Sequence, residues 1–412
     1  MSPRHGLVDL RPLRTSAAFR RIWAGSSLTA LGQQVTVVAV LFQVWELTGS
    51  PVWTGAIGIA HAVPLVVFGL IGGSLADSVD RRALVRWTTV AQILSALGLA
   101  WQAVEGLESL AVVLALVAVQ AACGALGSPA RRTFASRLLP REQVPAGIAL
   151  QHLSFQGAML VGPALAGLVI ARWGLTACYL LDAATFVASL YSVIRMPAMP
   201  PLGLAHRGGA RAIVDGWRLI AARPVLRGSF ATDLVATVLA MPIALFPVIN
   251  EIRFGGDPET LGLFLSAVAV GGITAGVLSG AVTRARRTGV VQLGAATLWG
   301  LALAGFGLAE PLWLALSALA VAGAADTVSV VSRAAMVQLA TPDSHRGRVS
   351  SVENIIGMAG PHLGNFRGGL VAGVSSASFA LVSGGLLCAA GVLAIAGSNG
   401  PLRRFRLADH QG

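Results

Sequence analysis

Apolar runs long enough to cross a lipid bilayer recur from one end of this chain to the other, and they restrict its fold more than any other feature. A membrane-spanning helix needs about 20 apolar residues in a row. Of the 412 residues, 55% are hydrophobic and only 12% are charged, whereas soluble globular domains carry charge on about 25% of their residues. We therefore predict an all-α integral membrane protein with no sizeable soluble domain.

Hydropathy and the positions of Gly and Pro predict twelve membrane spans in two pseudo-symmetric sets of six. The predicted bounds are 22–45, 52–76, 83–104, 108–129, 146–170, 176–195, 227–249, 260–282, 289–308, 311–332, 349–373 and 376–398. The predicted domains are a cytoplasmic segment (1–21), a six-helix half (22–195), a cytoplasmic linker with a short amphipathic helix (196–226), a second half (227–398) and a cytoplasmic tail (399–412). Two related halves are typical of secondary transporters.

The arginines predict the orientation of the chain in the membrane. The amino terminus is polar and basic and has no cleavage site after a short apolar core, so the first span is expected to stay attached, with both chain ends in the cytoplasm. Most arginines then lie in internal connections, whereas Arg172 and Arg253 lie in external ones and Arg367 lies near the outer end of span eleven. Because the net charge of +12 is dispersed in this way, nucleic-acid binding is not expected.

Other sequence features argue against several kinds of chemistry. Cys123, Cys178 and Cys388 lie far apart inside apolar runs, so they are predicted to be core residues and not disulfides or metal ligands. There is no Walker motif, and no loop is long enough for an ATPase domain. We expect no enzyme activity, cofactor or metal site, and a gradient must supply the energy for any transport. A monomer is expected to suffice because one chain contains both halves.

The connection between spans two and three, "GGSLADSVDRR" from Gly72 to Arg82, is highly charged for so apolar a chain. Its two leading glycines are expected to let span two approach a neighbouring helix closely. One interpretation is that its arginines merely obey the positive-inside rule. The other is a conformational latch that holds the halves together in one conformation and releases them in the other. The latch residues would be Gly73, Asp77, Asp80, Arg81 and Arg82.

This loop resembles the loop motif of the major facilitator superfamily, Gly-x-Leu-Ala-Asp-x-x-(Gly/Asp)-Arg-(Arg/Lys). The matching residues are Gly73, Leu75, Ala76, Asp77, Asp80, Arg81 and Arg82. The resemblance covers nearly the whole chain, and it implies the fold of that superfamily in the inner (plasma) membrane of a bacterium. The equivalent loop of the second half, "SGAVTRARRTG" from Ser279, has arginines but no Asp, so any latch is expected to be asymmetric.

Span five contains a stretch of small residues and proline, "GAMLVGPALAGLVIA". Its candidate residues are Gly157, Gly162, Pro163 and Gly167. Small residues give a tightly packing helix face and proline interrupts the backbone hydrogen bonds, so helix packing and function are equally good interpretations. The stretch also resembles the span-five motif of proton-coupled exporters in the superfamily, and this resemblance implies efflux.

Three further stretches resemble the drug:H+ antiporter branch that contains the bacterial enterobactin exporter and related macrolide and multidrug efflux proteins. They begin at Phe19, Asp215 and Met336. The chain departs from this branch at Gln33 in span one and at Asn365 in span eleven, where the branch often has acids. Proton-carrying roles linked to those acids therefore do not transfer to this chain.

Ionisable residues inside spans are functional candidates because they are costly to bury in lipid. The chain offers His61, Asp182, Asp233, Asp326, Arg333 and Glu353. The last four lie toward the cytoplasmic side of the second half, and Asp326 and Arg333, seven residues apart, share a helix face. Either Asp233 or Asp326 carries a proton under the influence of Arg333, or the group is a fixed ion-pair gate. Asp182 is predicted to be solvated near the outer end of span six.

Polar and aromatic side chains are predicted to line a cavity for the cargo, and they are Gln33, Gln34, Gln43, Trp53, His61 and Gln156. Such a lining suits a bulky amphipathic molecule. One interpretation is that His61 binds cargo or carries a proton. The other is that it is a buried histidine bonded to a backbone carbonyl. The resemblance favours proton-coupled antiport of a siderophore or similar metabolite out of the cytoplasm by alternating access. The alternatives are macrolide or multidrug efflux and, more remotely, a receptor or scaffold without transport.

Overall fold

The computed structural model describes residues 9–107, 109–200, 210–278, 287–342 and 345–406, except the side chains at positions 70, 74, 76, 77, 210–213 and 351. Within these ranges the chain forms helices and no strands. Ten helical segments in the described ranges are long and apolar enough to cross a membrane. The predicted all-α integral membrane architecture is confirmed.

The helices follow one another with short connections. In the described part of the chain, the first seven are α1 (Arg11–Thr15), α2 (Ala17–Thr48), α3 (Pro51–Ser78), α4 (Arg81–Val104), α5 (Leu110–Arg132), α6 (Phe134–Leu138) and α7 (Val144–Ile194). The others are α8 (Ala210–Ala222), α9 (Pro224–Ala240), α10 (Phe246–Phe254), α11 (Pro258–Val277), α12 (Thr288–Leu308), α13 (Leu312–Ala340), α14 (Arg346–Val374), α15 (Ala377–Ser398) and α16 (Gly400–Arg404).

A glycine breaks the longest helix into two limbs. Gly174, inside α7, has φ of 76° and ψ of 179°, a conformation that glycine adopts readily and other residues avoid. Each limb is long enough for one pass through a bilayer, for which about 20 residues suffice. The predicted end of span five at 170 and the predicted start of span six at 176 lie on either side of this break.

The twelve predicted spans correspond in position to helices, but the number of membrane crossings stays a prediction. The ten apolar segments include the whole of α7 as one segment of 54 residues together with the turn before it. Although α14 has 29 residues, it is not among the ten. Its polar residues include Glu353, His362, Asn365 and Arg367, and they lower its mean hydropathy.

Span seven is not the continuous helix that the bounds 227–249 predict, because a short turn separates α9 from α10. Pro242 and Pro247 explain this break, since proline donates no backbone hydrogen bond and clashes with the preceding turn of a helix. Oδ1 of Asn365, on α14, accepts a hydrogen bond from the backbone N–H of Ala244 at 3.1 Å. The side chain thereby satisfies a backbone donor within the break.

The chain forms two compact units. Among the described residues, unit 1 comprises those up to 43 and those between 63 and 206, and unit 2 comprises 44–62 and those from 207 onward. The last turn of α2 and the first half of α3 therefore belong to unit 2. The domain bounds proposed from the sequence, including halves at 22–195 and 227–398, stay a prediction.

Each unit has an apolar core cluster to which several of its helices contribute. In unit 1 one core cluster is Ile22, Leu84, Val85, Ala130, Phe134, Val193, Met196 and Met199. In unit 2 one core cluster is Ile220, Leu226, Phe230, Val337, Val349, Val352 and Ile356. The last turns of α5 and α13 contribute Ala130 and Val337 to these clusters.

Candidate functional site

The charged loop between α3 and α4 is bonded to the end of α7 within unit 1. Asp80 caps α4 by accepting a hydrogen bond from the N–H of Ala83 at 2.9 Å, and its other oxygen accepts one from Met199 N–H at 2.8 Å. Arg82 donates to the carbonyl of Ile194 at 2.6 Å. Two of the predicted latch residues therefore have a local structural role in this conformation.

The other latch candidates lie close by. Arg81 is buried, and Asp77 lies in the last turn of α3, with its side chain outside the described part of the structure. A Cβ added at Gly72 would lie 2.9 Å from Leu126 Cα on α5, whereas one at Gly73 would meet no described atom within 4 Å. The predicted close helix approach is found at Gly72 and not at Gly73. The latch itself stays a prediction.

The span-five residues lie on the first limb of α7. A Cβ added at Gly162 would lie 2.5 Å from Cβ of Gln34 on α2, so the glycine allows these two helices to touch. Pro163 and Gly167 are also buried. Gly157 differs, because a Cβ there would meet no described atom within 4 Å. Within unit 1 the stretch therefore packs against span one, and Gln34 is part of that contact.

The structure brings together two of the charged candidates in unit 2. Arg333 on α13 forms an ion pair with Asp233 on α9, and the side chains are only 8% and 10% exposed. Asp326 lies about two turns before Arg333 on the same helix and is exposed, while Glu353 on α14 is half-buried. The pair is what a fixed gate requires, and a proton carrier requires in addition that the pair separates in another conformation.

The prediction that Asp182 is solvated is wrong. Its exposed fraction is 0%, and its Oδ2 accepts hydrogen bonds from Thr36 Oγ1 at 2.8 Å and from Gln120 Nε2 at 2.9 Å. Oδ1 has no hydrogen-bond partner among the described residues. The break at Gly174 explains the burial, since Asp182 lies about two turns further along the second limb and faces α2 and α5.

A second buried polar group lies one turn away and corrects the assignment of Gln43 to the cargo cavity. The amides of Gln43 and Gln102 form two reciprocal hydrogen bonds of 3.0 Å each, and Tyr179 Oη donates to Gln43 Oε1 at 2.6 Å. All three side chains are buried in unit 1. Gln43 is therefore part of a hydrogen-bonded core layer that links α2, α4 and α7, because amides that leave water must find partners inside the protein.

His61 is stacked against a second histidine that the sequence interpretation missed. In unit 2, its ring lies 5.0 Å from the ring of His362 on α14 with an interplanar angle of 6°. Nδ1 of His61 lies 3.1 Å from the carbonyl oxygen of Ile57, as expected for a histidine bonded to the backbone. Gly58 brings the two helices together, since a Cβ there would collide with the backbone carbonyl of His362. Paired glycines and histidines on 51–62 and 358–369 were the available signal.

A cavity of about 320 Å³ within unit 1 contains one of the predicted cargo residues, Gln33. Residues of α2, α4, α5, α6 and α7 line it. Its lining residues are Ile22, Ser26, Thr29, Ala30, Gln33, Gln92, Gly124, Ser128, Arg131, Arg132, Phe134 and Gln151. Gln156 is half-buried on α7 and Trp53 is exposed in unit 2, and neither is among these residues.

Comparison with known proteins gives consistent matches along the whole chain. Residues 8–410 match the family described as transmembrane secretion effector. The chain is 31% identical over 364 residues to the multidrug efflux pump Tap of Mycolicibacterium fortuitum, covering 84% of this chain and 87% of that protein. It is 25% identical over 409 residues to the enterobactin exporter EntS of Citrobacter koseri, covering 98% of this chain and 97% of that protein.

Solved structures agree on the fold. A POT family transporter in complex with 5-aminolevulinic acid superposes with a TM-score of 0.76, covering 94% of this chain and 97% of that one. At 11% sequence identity, this similarity concerns the fold alone.

Proposed function

Because the chain belongs to the transmembrane secretion effector family of the major facilitator superfamily, we propose that it exports a siderophore-like secondary metabolite by proton-coupled antiport. The resemblance to the superfamily and to its enterobactin and drug efflux branch is confirmed. The protein is a membrane transporter, and the apolar helical segments in its described part support a multi-pass location in the inner membrane. The cargo, the coupling ion and the side of the membrane on which the two termini lie are part of the proposal.

The observation that carries the export function is the family match over residues 8–410. A siderophore is the first choice of cargo because the similarity to an enterobactin exporter covers 98% of this chain. Drug efflux is the second choice, since the similarity to Tap covers less of the chain but has the higher identity, 31%. Both cargoes are bulky, and export of either by alternating access requires no ATP-binding domain.

The coupling ion is proposed to be a proton. Asp233 and Arg333 form a buried pair in unit 2, and a proton bound to Asp233 would remove one charge of that pair. Arg333 would then be free to bind another anion, such as Asp326 on the same helix face. We place both termini in the cytoplasm, as the arginine distribution indicates, and we treat one chain as the transporting unit.

Reconstituted protein tests the proposal. Purified protein is placed in liposomes with an imposed pH gradient, and movement of a catecholate siderophore and of a macrolide is recorded side by side. Siderophore flux that collapses when the gradient is dissipated supports the proposal. Macrolide flux alone would instead support drug efflux as the function. No flux of either cargo would favour a receptor or scaffold.

A further inference from the structure

Two arginines line the cavity within unit 1, which we call the Arg131 cavity and define by its twelve lining residues. Seven of its other members carry hydroxyl or amide side chains or lack a side chain, and none of the twelve is an acid. The apolar lining residues are Ile22, Ala30 and Phe134. The cavity is therefore cationic and rich in hydrogen-bonding groups.

The guanidinium of Arg131 is held in place by buried neighbours. Its Nη2 donates to Thr89 Oγ1 at 2.8 Å and to Gln92 Oε1 at 3.2 Å, and both partners are buried. Gly127, one turn earlier on α5, allows close contact with α4, since a Cβ there would lie 2.8 Å from Thr88 Oγ1. With Nη2 fixed in this way, Nη1 keeps N–H groups that can donate to an oxyanion.

The second half of the chain has a carboxylate at a position where the Arg131 cavity has none. "FRRIWAGSS" from Phe19 aligns with "LRGSFATDL" from Leu226, and this places Ser26 opposite Asp233. Burial agrees with the alignment, because Phe19 and Leu226 are both fully buried. In unit 2 the carboxylate of Asp233 pairs with the arginine at the end of span ten. In unit 1 the equivalent position is a serine.

We propose that the Arg131 cavity binds a planar, oxygen-rich anionic group such as a catecholate. Arg131 would bind the oxyanion, and Gln33, Gln151 and Ser26 would bind further oxygens with their amide and hydroxyl groups. The volume of about 320 Å³ accommodates one ring-sized group and not a whole bulky molecule. Under the proposed export function, on which this step rests, that group is one arm of the cargo.

The cavity also discriminates between the two candidate cargoes. A cationic drug that enters it would meet Arg131, whose guanidinium donates to the neutral side chains of Thr89 and Gln92, and like charges repel in a poorly solvated site. A catecholate arm meets complementary charge. A phospholipid headgroup has similar anionic oxygens, so an anionic lipid is tested as a competitor of the probe.

The test is equilibrium binding of 2,3-dihydroxybenzamide, at a pH at which its catechol is ionised, to the full-length protein in nanodiscs of phosphatidylcholine, with 2,3-dimethoxybenzamide as the uncharged probe. Arg131→Gln removes the charge, and Ser26→Asp supplies the internal carboxylate that the second half has. We expect either change to weaken binding at least about tenfold. Ser26→Asn adds similar bulk without charge and should weaken binding less than Ser26→Asp.

Two substitutions outside the cavity serve as controls of charge. Ser136→Asp adds a carboxylate at an exposed position of α6, and Arg137→Gln removes an arginine from the same helix; both should leave binding unchanged. Thermal unfolding of each variant identifies any that fail to fold, and Arg131→Lys, which keeps the charge, should retain part of the binding if the site is electrostatic.

The outcomes separate the cavity from the export function. Loss of binding in Arg131→Gln and Ser26→Asp, with the controls intact, supports the site. Equal binding by all variants overturns it, as does a wild-type protein that exports a catecholate siderophore without binding the probe, and the export function then stands. Binding without any export supports the site and removes the export function. Probe binding that is lost when phosphatidylglycerol replaces phosphatidylcholine assigns the cavity to lipid headgroups and overturns the cargo assignment.

Discussion

Arg333 on α13 donates to a carboxylate oxygen of Asp233 on α9, and both side chains are almost completely buried in unit 2. A buried ion pair is costly to break from one side, because the remaining charge has no partner. The Nε atom of Arg333 already lacks a hydrogen-bond partner among the described residues. The arginine therefore depends on Asp233 more than a surface arginine would.

We expect Asp233→Asn and Arg333→Gln each to destabilise the protein by about 3–5 kcal/mol. The double variant should recover much of this loss because neither charge remains unpaired. Thermal unfolding in detergent measures the three variants against the wild type. A double variant that is less stable than both single variants would contradict the ion-pair account.

The double variant also separates the gate from the proton carrier. If the pair couples transport to protons, the folded double variant should move cargo down its own gradient but no longer respond to a pH gradient. If the pair is only a fixed gate, transport by the double variant should still respond to a pH gradient as transport by the wild type does. Flux in liposomes with and without the pH gradient gives this comparison.

Gly162 and Gly157 provide a matched pair in span five. Gly162→Ala places a Cβ 2.5 Å from Cβ of Gln34, and such overpacking costs about 1–3 kcal/mol. The Cβ that Gly157→Ala adds would meet no described atom within 4 Å. This change should be neutral or stabilising, because alanine is the better helix former by about 0.5–1 kcal/mol. Unfolding temperature and transport rate are measured for both. A larger loss of transport in Gly157→Ala would show that the stretch acts through an open surface and not through helix packing.

Hydropathy located most of the helices, because burial in lipid selects for apolar residues whatever they contact. Hydropathy also separated spans five and six at the correct place, because the break at Gly174 lies between two apolar runs. Which side of each helix faces protein was not predictable, since a helix that is apolar on all sides has no amphipathic pattern. Gln43 and Asp182 were misplaced in this way. The pairing of His61 with His362 depends on contacts between distant segments, which one sequence without an alignment does not reveal.

Asp80 tests how much of the charged loop is structural. Its two carboxylate oxygens accept from Ala83 N–H and Met199 N–H. Asp80→Asn keeps one accepting oxygen and Asp80→Ala keeps none, so unfolding should become easier in that order. A helix cap of this kind contributes about 1 kcal/mol. Equal stability of the wild type and Asp80→Ala would exclude the capping role.

Substitution of Asp77 tests the latch, whereas substitution of Asp80 tests only the helix cap. Asp77→Asn should slow transport while leaving abundance in the membrane and thermal unfolding close to those of the wild type. The reason is that a latch acts only between conformations. Measurement of flux per folded molecule separates this outcome from misfolding. Normal flux at normal abundance would rule out the latch.

Asp182 is the buried acid that the sequence placed in solvent, and it is a candidate for proton binding in unit 1. It accepts hydrogen bonds from Thr36 and Gln120, and no arginine in the described part of the chain forms an ion pair with it. Tyr179→Phe is the matched control, because it removes one hydrogen bond from the layer one turn away without changing any carboxylate.

We expect Asp182→Asn to fold normally, since an amide oxygen accepts from the same two donors. If Asp182 binds the coupling proton, this variant should lose transport driven by a pH gradient and keep exchange of labelled for unlabelled cargo in the absence of a gradient. Tyr179→Phe should keep both activities, with a loss of stability of about 1 kcal/mol. Equal loss of both activities in the two variants would assign the layer to core stability. Gradient-driven transport retained in Asp182→Asn would leave Asp233 and Asp326 in unit 2 as the candidates for proton binding.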